Sequence, residues 1–191
     1  MNKLKILVFT GSIRKESINQ RLAYYISKEL RKLEVDVNHL DIRNFPLPLY
    51  NPDYLPEEFP ENAKKLAIIM QEHNIWIIVT PEYNYSIPST LKNLIDFVSR
   101  SPNNQPNRGL FPEKIIGIAS ASPSMLGGAK AAKQLRETLT TLGSIVIPSQ
   151  ANIANAYSAF DLEGNLNNEL DKKAVNAVLK QLINIGSKLS N

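Results

Sequence analysis

The sequence predicts one doubly wound α/β domain over residues 1–191, with a five-stranded parallel sheet in the order 2-1-3-4-5 and helices on both faces. Short apolar runs alternate with segments whose apolar residues recur every three or four positions, as in amphipathic helices. Most of the runs are continuous, which is typical of parallel strands covered on both faces. Polar loops follow the first, third and fourth runs, where such folds bind ligands.

Five strands are predicted in chain order. The first, third and fourth are uninterrupted apolar runs, whereas the second alternates with period two, as expected of a half-exposed strand. The fifth is a short segment after Gly143, which is a typical helix stop. The predicted strands cover residues 6–9, 35–40, 75–79, 115–119 and 144–147.

Five helices are predicted from the apolar stripes that lie between and after these strands. The stripe of the first helix runs from Leu22 to Leu33, and Pro60 with Glu61 opens the second helix. The other three helices are predicted at residues 89–99, 128–142 and 171–189.

Composition and charge limit the class of function. The net charge of +4 comes from 22 basic and 18 acidic residues without a block of like charge, which gives little support to nucleic-acid binding. The absence of cysteine excludes disulfides, thiolate metal sites and cysteine nucleophiles. No apolar run is long enough for a signal peptide or a membrane span. We therefore expect a cytoplasmic protein that binds neither membranes nor nucleic acids.

The segment from Thr10 to Asn19 has the composition of an anion site. Ser12, Ser17 and Asn19 can donate hydrogen bonds, and Arg14 offers a planar charged fork. The first N–H groups of the following helix add further donors. An ordinary helix cap accounts for one of these residues but not for all four. Because G-x-G-x-x-G and G-x-x-x-x-G-K-[ST] are both absent, the loop predicts a single terminal phosphate on a larger ligand.

The loops after the third and fourth strands complete the predicted site. The first of them, residues 80–88, combines polar groups with two tyrosine rings, which suits the edge and face of a flat heteroaromatic ligand. The second carries Ser122 and the pair Gly127 and Gly128, which permits a close backbone approach. A rigid turn and a simple Gly-Ser loop are the ordinary alternatives. The shared position at one sheet edge favours a ligand site.

Together the motifs resemble those of the NADPH-dependent FMN reductase family, flavodoxin-like flavoproteins that include quinone, azo-dye and chromate reductases. The resemblance spans nearly the whole chain, and the motifs come in the family's order. It implies a flavodoxin-like fold, bound FMN and NAD(P)H as electron donor. Ser89 and Ser124 depart from it, because many relatives have glycine at both positions. The matching motifs are Gly11-Ser12-x-Arg14-x-x-Ser17-x-Asn19, Pro81-Glu82-Tyr83-Asn84-x-Ser86-x-Pro88, Leu91-Lys92-Asn93, Ile95-Asp96, and Ser122 with Gly127-Gly128.

The resemblance implies an oxidoreductase that passes two electrons through the flavin to quinone, azo, flavin or metal-oxyanion acceptors. No catalytic side chain is expected, because flavin N5 carries the chemistry. A flavodoxin-type electron carrier and a flavin-loaded redox sensor are the alternatives; rapid NADPH oxidation would favour the enzyme, and a stable semiquinone the carrier. The expected cofactor-binding residues are Ser12, Arg14, Ser17, Asn19, Gln20, Pro81, Glu82, Tyr83, Asn84, Tyr85, Ser122 and Gly127.

Two further expectations concern the surface. Residues 46–60 hold five of the twelve prolines, and residues 101–112 hold three more. Stiff surface loops explain both stretches, but long loops also form active-site rims and subunit contacts. From the resemblance and the exposed apolar content expected of residues 45–59, we predict a homodimer or homotetramer. His39 and His73 are predicted to be solvated surface residues.

Overall fold

The computed structural model describes residues 3–54, 56–100 and 110–189. Five strands form one all-parallel sheet in the order β2-β1-β3-β4-β5. This arrangement confirms the predicted flavodoxin-like fold and its strand order. The strands are Lys5–Thr10 (β1), Asp36–Leu40 (β2), Ile75–Thr80 (β3), Ile115–Ala121 (β4) and Ile145–Ile153 (β5).

Helices cover both faces of the sheet because each strand alternates its side chains between them. On β1, Ile6 and Val8 pack against the first and last helices, whereas Leu7 and Phe9 pack against the three helices between. None of the described helices is long and apolar enough to span a membrane. The helices are Ile18–Arg31 (α1), Glu61–Gln71 (α2), Ser89–Val98 (α3), Ala129–Thr141 (α4) and Glu169–Leu189 (α5).

Two predicted boundaries were wrong. Helix α1 ends at Arg31, so Leu33 lies beyond its apolar stripe and is exposed. Strand β5 does not stop at residue 147 but continues through Pro148 to Ile153. Proline is tolerated there because β5 is an edge strand, and the pairing shifts from Ile116↔Val146 to Ile118↔Gln150 around it.

The histidines are less solvated than predicted. His73 is 7% exposed, and its Nδ1 donates to the carbonyl oxygen of Ile69 at 2.7 Å. His39 is half-buried, because α1 packs over edge strand β2 and brings Gln20 and Ser27 against its ring. Both residues lie where the sequence placed them, on an edge strand and after a helix end, but packing covers them.

The apolar residues of the first proline-rich stretch are mostly packed rather than exposed. The rings of Tyr50, Tyr54 and Phe59 lie against Phe97 of α3 in a small separate cluster. Among the described apolar side chains of the stretch other than proline, Leu49 is the exception, with 81% of its surface exposed. Most of the second stretch, residues 101–109, lies outside the described residues. The expected exposed apolar content of residues 45–59 is therefore found only in part.

Candidate functional site

A small cleft of about 50 Å³ opens at the carboxyl edge of the sheet, where the loops after β1, β3 and β4 meet. This is the edge at which the strand order predicted a ligand. Eight of the twelve candidate residues line the cleft: Ser12, Arg14, Ser17, Asn19, Pro81, Glu82, Tyr83 and Ser122. The other four, Gln20, Asn84, Tyr85 and Gly127, do not line it.

The N-terminus of α1 supplies backbone donors to this cleft. Ser17 is the N-cap, and its Oγ accepts a hydrogen bond from the Gln20 N–H at 3.2 Å. Within the described chain, the N–H groups of Ser17, Ile18 and Asn19 donate to no protein acceptor. The first turn of α1 carries no acidic residue, although Glu16 directly precedes the N-cap. Unpaired N–H groups at a helix start suit an anion.

In the loop before α1, hydroxyl oxygens accept hydrogen bonds from the loop's own N–H groups, and the arginine side chain is left free. The N–H of Ser12 donates to Thr10 Oγ1 at 3.3 Å, and the N–H of Arg14 donates to Ser12 Oγ at 3.4 Å. Ser12 is buried, whereas Arg14 is exposed. Among the described residues the guanidinium of Arg14 has no hydrogen-bond or ion-pair partner. Its charge is therefore available to a ligand.

Asn19 and Gln20 are committed to partners inside the protein. Asn19 Nδ2 donates to the carbonyl oxygen of Ala121 at 2.9 Å, and Asn19 Oδ1 accepts from the Ala121 N–H at 2.9 Å. This paired contact ties the start of α1 to the end of β4. Gln20 directs its amide to His39 at 2.9 Å, away from the cleft. Both residues therefore hold the start of α1 in place rather than offering free side-chain donors to the cleft.

The loop after β3 contains a tight turn at Asn84 and Tyr85. The flanking residues Tyr83 and Ser86 exchange two backbone hydrogen bonds of 3.0 Å. Both central residues have positive φ, 51° for Asn84 and 64° for Tyr85, as a type I′ turn requires. A tyrosine with positive φ is strained, and strain of this kind concentrates at functional sites.

Contacts with α4 fix this turn in place. The Lys130 Nζ lies 3.9 Å from the centre of the Tyr85 ring, and Ser86 Oγ donates to Gln134 Oε1 at 2.7 Å. Glu82 accepts the N–H of Ala131 at 3.0 Å, in the first turn of the same helix. The Glu82 carboxylate thus caps α4, where a negative charge is stabilised by the helix dipole.

The glycines before α4 serve a close contact within the protein. Gly127 has φ +59°, and a Cβ there would lie 2.7 Å from the Asn152 carbonyl carbon on β5. Its carbonyl oxygen accepts the hydroxyl of Ser120 at 2.6 Å. The close backbone approach predicted from the paired glycines is present, but it is made to β5 and to Ser120.

Sequence reasoning missed Tyr157, which lines the cleft from the segment after β5 and is 73% exposed. The reason is the predicted end of β5, which was placed too early. With that strand ended at residue 147, the loop after it was not assigned to the carboxyl edge. Once β5 reaches Ile153, the polar segment 154–158 becomes a fourth loop at the same edge.

A larger groove of about 400 Å³ lies on the other side of the loop between β1 and α1. Residues 12 and 14 of the loop line the cleft, whereas Ile13 and Lys15 line the groove. Its floor is mostly apolar, with Ile42, Phe45 and Leu94 among its residues. Its volume and lining are typical of sites for small apolar compounds.

Comparisons with known proteins agree with this arrangement. A sequence model of the family described as "NADPH-dependent FMN reductase" matches residues 4–158. The chain is 38% identical over 146 residues to a quinone reductase of Escherichia coli K12, covering 76% of this chain and 74% of that protein. It is 37% identical over 172 residues to a 2-hydroxy-1,4-benzoquinone reductase of a Burkholderia species, covering 89% of each.

Among solved structures, the chain is similar to the flavoenzyme NAD(P)H:(acceptor) oxidoreductase FerB from Paracoccus denitrificans. The two superpose with a TM-score of 0.81 at 26% sequence identity, over 97% of this chain and 98% of that one. The likeness therefore extends over nearly the whole length of both chains.

Proposed function

Since this chain belongs to the NADPH-dependent FMN reductase family, we propose that it is an FMN-dependent NAD(P)H oxidoreductase that reduces small quinone-type acceptors. Membership confirms the resemblance found in the three sequence motifs. The proposed acceptor class is supported by the activities for which two relatives are named, a quinone reductase and a 2-hydroxy-1,4-benzoquinone reductase. Azo, flavin and metal-oxyanion acceptors remain proposals from the family resemblance.

The observation that carries the proposal is the donor set at the start of α1. The unpaired N–H groups of Ser17, Ile18 and Asn19 and the free guanidinium of Arg14 belong to residues that line one cleft. A terminal phosphate needs several donors and a compensating charge, and this set provides both. The residues present therefore fit the phosphate of FMN. We assign Ser12, Arg14 and Ser17 to that group.

The turn at residues 83–86 is proposed to frame the flavin ring. When bound, FMN supplies the ring that accepts a hydride from the nucleotide and passes electrons to the acceptor. The chain's part is positioning, because no catalytic side-chain acid or base is proposed. Tyr83 lines the cleft and Asn84 and Tyr85 form the turn that follows it, and backbone amides of this loop would stabilise negative charge on a bound ring. Substituting Asn84 or Tyr85 should change rates modestly and shift acceptor preference.

Nucleotide and acceptor are proposed to use the same opening in turn, which makes turnover ping-pong. Calorimetry with FMN tests binding, and steady-state kinetics with NADPH and NADH against a quinone, an azo dye and free FMN test activity. We expect near-stoichiometric binding of FMN and parallel double-reciprocal plots. A folded protein that binds no FMN would contradict the proposal. Intersecting plots would contradict the shared opening alone.

We further propose that the chain assembles with itself, as a homodimer or homotetramer. Support comes from large exposed side chains: Tyr157, which lines the cleft, Tyr85 and Met125, which lie in loops that contribute other residues to it, and Leu49 in the proline-rich loop. Burial of these side chains against a second copy of the chain would be favourable.

A further inference from the structure

His39 lies in a hydrogen-bond network that fixes the form of its ring. Its Nδ1 is 2.9 Å from Ser27 Oγ, and Ser27 Oγ donates its single hydrogen to the carbonyl oxygen of Ala23 at 2.9 Å. Ser27 can therefore only accept from His39, so Nδ1 carries the ring hydrogen. The opposite nitrogen, Nε2, is then an acceptor, and the Gln20 amide lies 2.9 Å from it. Burial also lowers the pKa of His39, which favours this neutral ring.

The partner of His39 belongs to a capping motif that is only half formed. Residues 17–20 read Ser-Ile-Asn-Gln, the S-x-x-Q pattern of a capping box. In a complete box the N-cap hydroxyl accepts from the fourth residue, whose side chain reaches back to the N-cap N–H. Here Ser17 Oγ accepts from the Gln20 N–H, but the Gln20 side chain bonds to His39 instead. The Ser17 N–H is therefore left unpaired at the cleft.

We propose that His39 is a positioning residue for anion binding: by holding the Gln20 amide, it keeps the capping box open and the Ser17 N–H available to the ligand phosphate. This inference rests on the proposed function, because the phosphate is that of FMN. It gives Gln20 a role that differs from direct contact with the cofactor. His39 itself stays remote from the ligand and acts only through Gln20.

The stacking partner of His39 allows a conservative test. The ring lies parallel to Tyr24 at 4.3 Å between centres, so phenylalanine keeps this flat contact but cannot accept from Gln20. In His39→Phe, Gln20 should close the box onto the Ser17 N–H. The dissociation constant of FMN should then rise about 10-fold, as expected for the loss of one charged hydrogen bond. Riboflavin, which lacks the phosphate, should bind as it does to the wild type.

The decisive variant removes the competing amide as well. His39→Phe with Gln20→Met should regain wild-type FMN affinity, since no side chain can then close the box. Gln20→Met alone should also bind FMN normally. The Ser17 amide resonance should shift in His39→Phe and return in the double variant. Should His39→Phe fail to fold, His39→Leu replaces it. The single Gln20→Met variant still distinguishes an indirect role of Gln20 from direct contact with FMN.

Two results would overturn the inference. An equal loss of FMN and riboflavin affinity in His39→Phe would assign His39 a purely structural role. A Gln20→Met variant with weakened FMN binding would return Gln20 to the ligand contacts. Wild-type protein that binds no FMN would instead contradict the proposed function, so the two failures are distinguishable.

Discussion

Tyr85 combines an exposed aromatic ring with a backbone conformation that residues other than glycine seldom adopt. The ring is 66% exposed, and its φ is 64°. A Cβ in this left-handed region costs about 1–2 kcal/mol. The protein keeps a strained tyrosine beside the cleft where an Asn-Gly turn would be more stable. This cost is the reason to connect the ring with function rather than with folding.

Tyr85→Gly should therefore be more stable to urea than Tyr85→Ala by about 1 kcal/mol, because the two differ only by the strained Cβ. Tyr83 provides the matched control. It is exposed in the same loop but lacks a positive φ, so alanine should be the more stable replacement there. The same order of stability at both positions would contradict the argument from strain.

Arg14→Ala should weaken FMN binding by about 10- to 100-fold, since a charged hydrogen bond contributes roughly 1.5–3 kcal/mol. The guanidinium has no partner among the described residues, so its removal should not disturb the fold. Riboflavin affinity measured by the same fluorescence titration should be nearly unchanged. An equal effect on both ligands would mean that Arg14 shapes the loop instead of binding phosphate.

Residue types at the cleft were predictable, but several side-chain partners were not. Ser12, Arg14 and Ser17 follow from loop composition, because an anion loop at a helix start is a local feature. Asn19 and Gln20 instead bond to Ala121 and His39, which are distant in the sequence. Local pattern cannot reveal such partners, because they depend on how β4 and β2 pack beside α1.

Strand β5 is irregular in its middle, and neighbouring helices satisfy its backbone there. Around Pro148 the strand holds more residues than the facing part of β4. Arg136 of α4 donates through Nη1 to the carbonyl oxygens of Val146 and Ile147, at 3.3 and 2.8 Å. On the other face, the Ser149 N–H donates to Gln181 Oε1 at 2.8 Å. The helices thus replace hydrogen bonds that the sheet cannot supply.

Arg136→Met should lower the free energy of unfolding by about 2–3 kcal/mol, because it leaves two carbonyl groups without their charged donor. Urea denaturation measures the loss, and the slope with denaturant should stay constant. Lys133→Met is the matched control, since Lys133 is exposed on the same helix. Its effect should stay within about 0.5 kcal/mol. Equal losses in the two variants would show that α4 itself, not the bulge, responds.

Strand β5 is also the element whose end was predicted wrongly from the sequence. Helix and strand positions elsewhere followed from hydrophobic period, because each element buries one stripe or face. Within β5 only Ile147, Ala151 and Ile153 are fully buried, so no regular period marks the strand. Pro148 then looks like a terminator, although it lies on an edge. Because β5 was predicted to end at residue 147, Tyr157 was not included among the site residues.

At the scale of the whole molecule, we expect sedimentation at micromolar concentration to show a dimer or a larger homo-oligomer. Leu49 and Tyr157 are exposed apolar side chains whose burial in an interface would be favourable. Leu49→Asp and Tyr157→Asp, tested separately, should shift the equilibrium toward monomer if either lies in the contact. Leu162→Asp is the control, because Leu162 is at least as exposed as these residues but belongs to neither the cleft nor the proline-rich loop, the two places proposed for the contact. A monomeric wild-type protein would contradict the expectation.

The proline in β5 also bears on how the molecule avoids fibril growth. An open sheet edge is a template on which a foreign strand can add, and Pro148 offers no N–H for such pairing. Pro148→Val would supply that donor in a β-prone segment. We expect the variant to form thioflavin-binding aggregates sooner than wild type in mild denaturant. Pro56 is exposed and lies outside the sheet, so Pro56→Val should aggregate no sooner than wild type. Pro148 would thus limit the addition of strands from other molecules to the β5 edge.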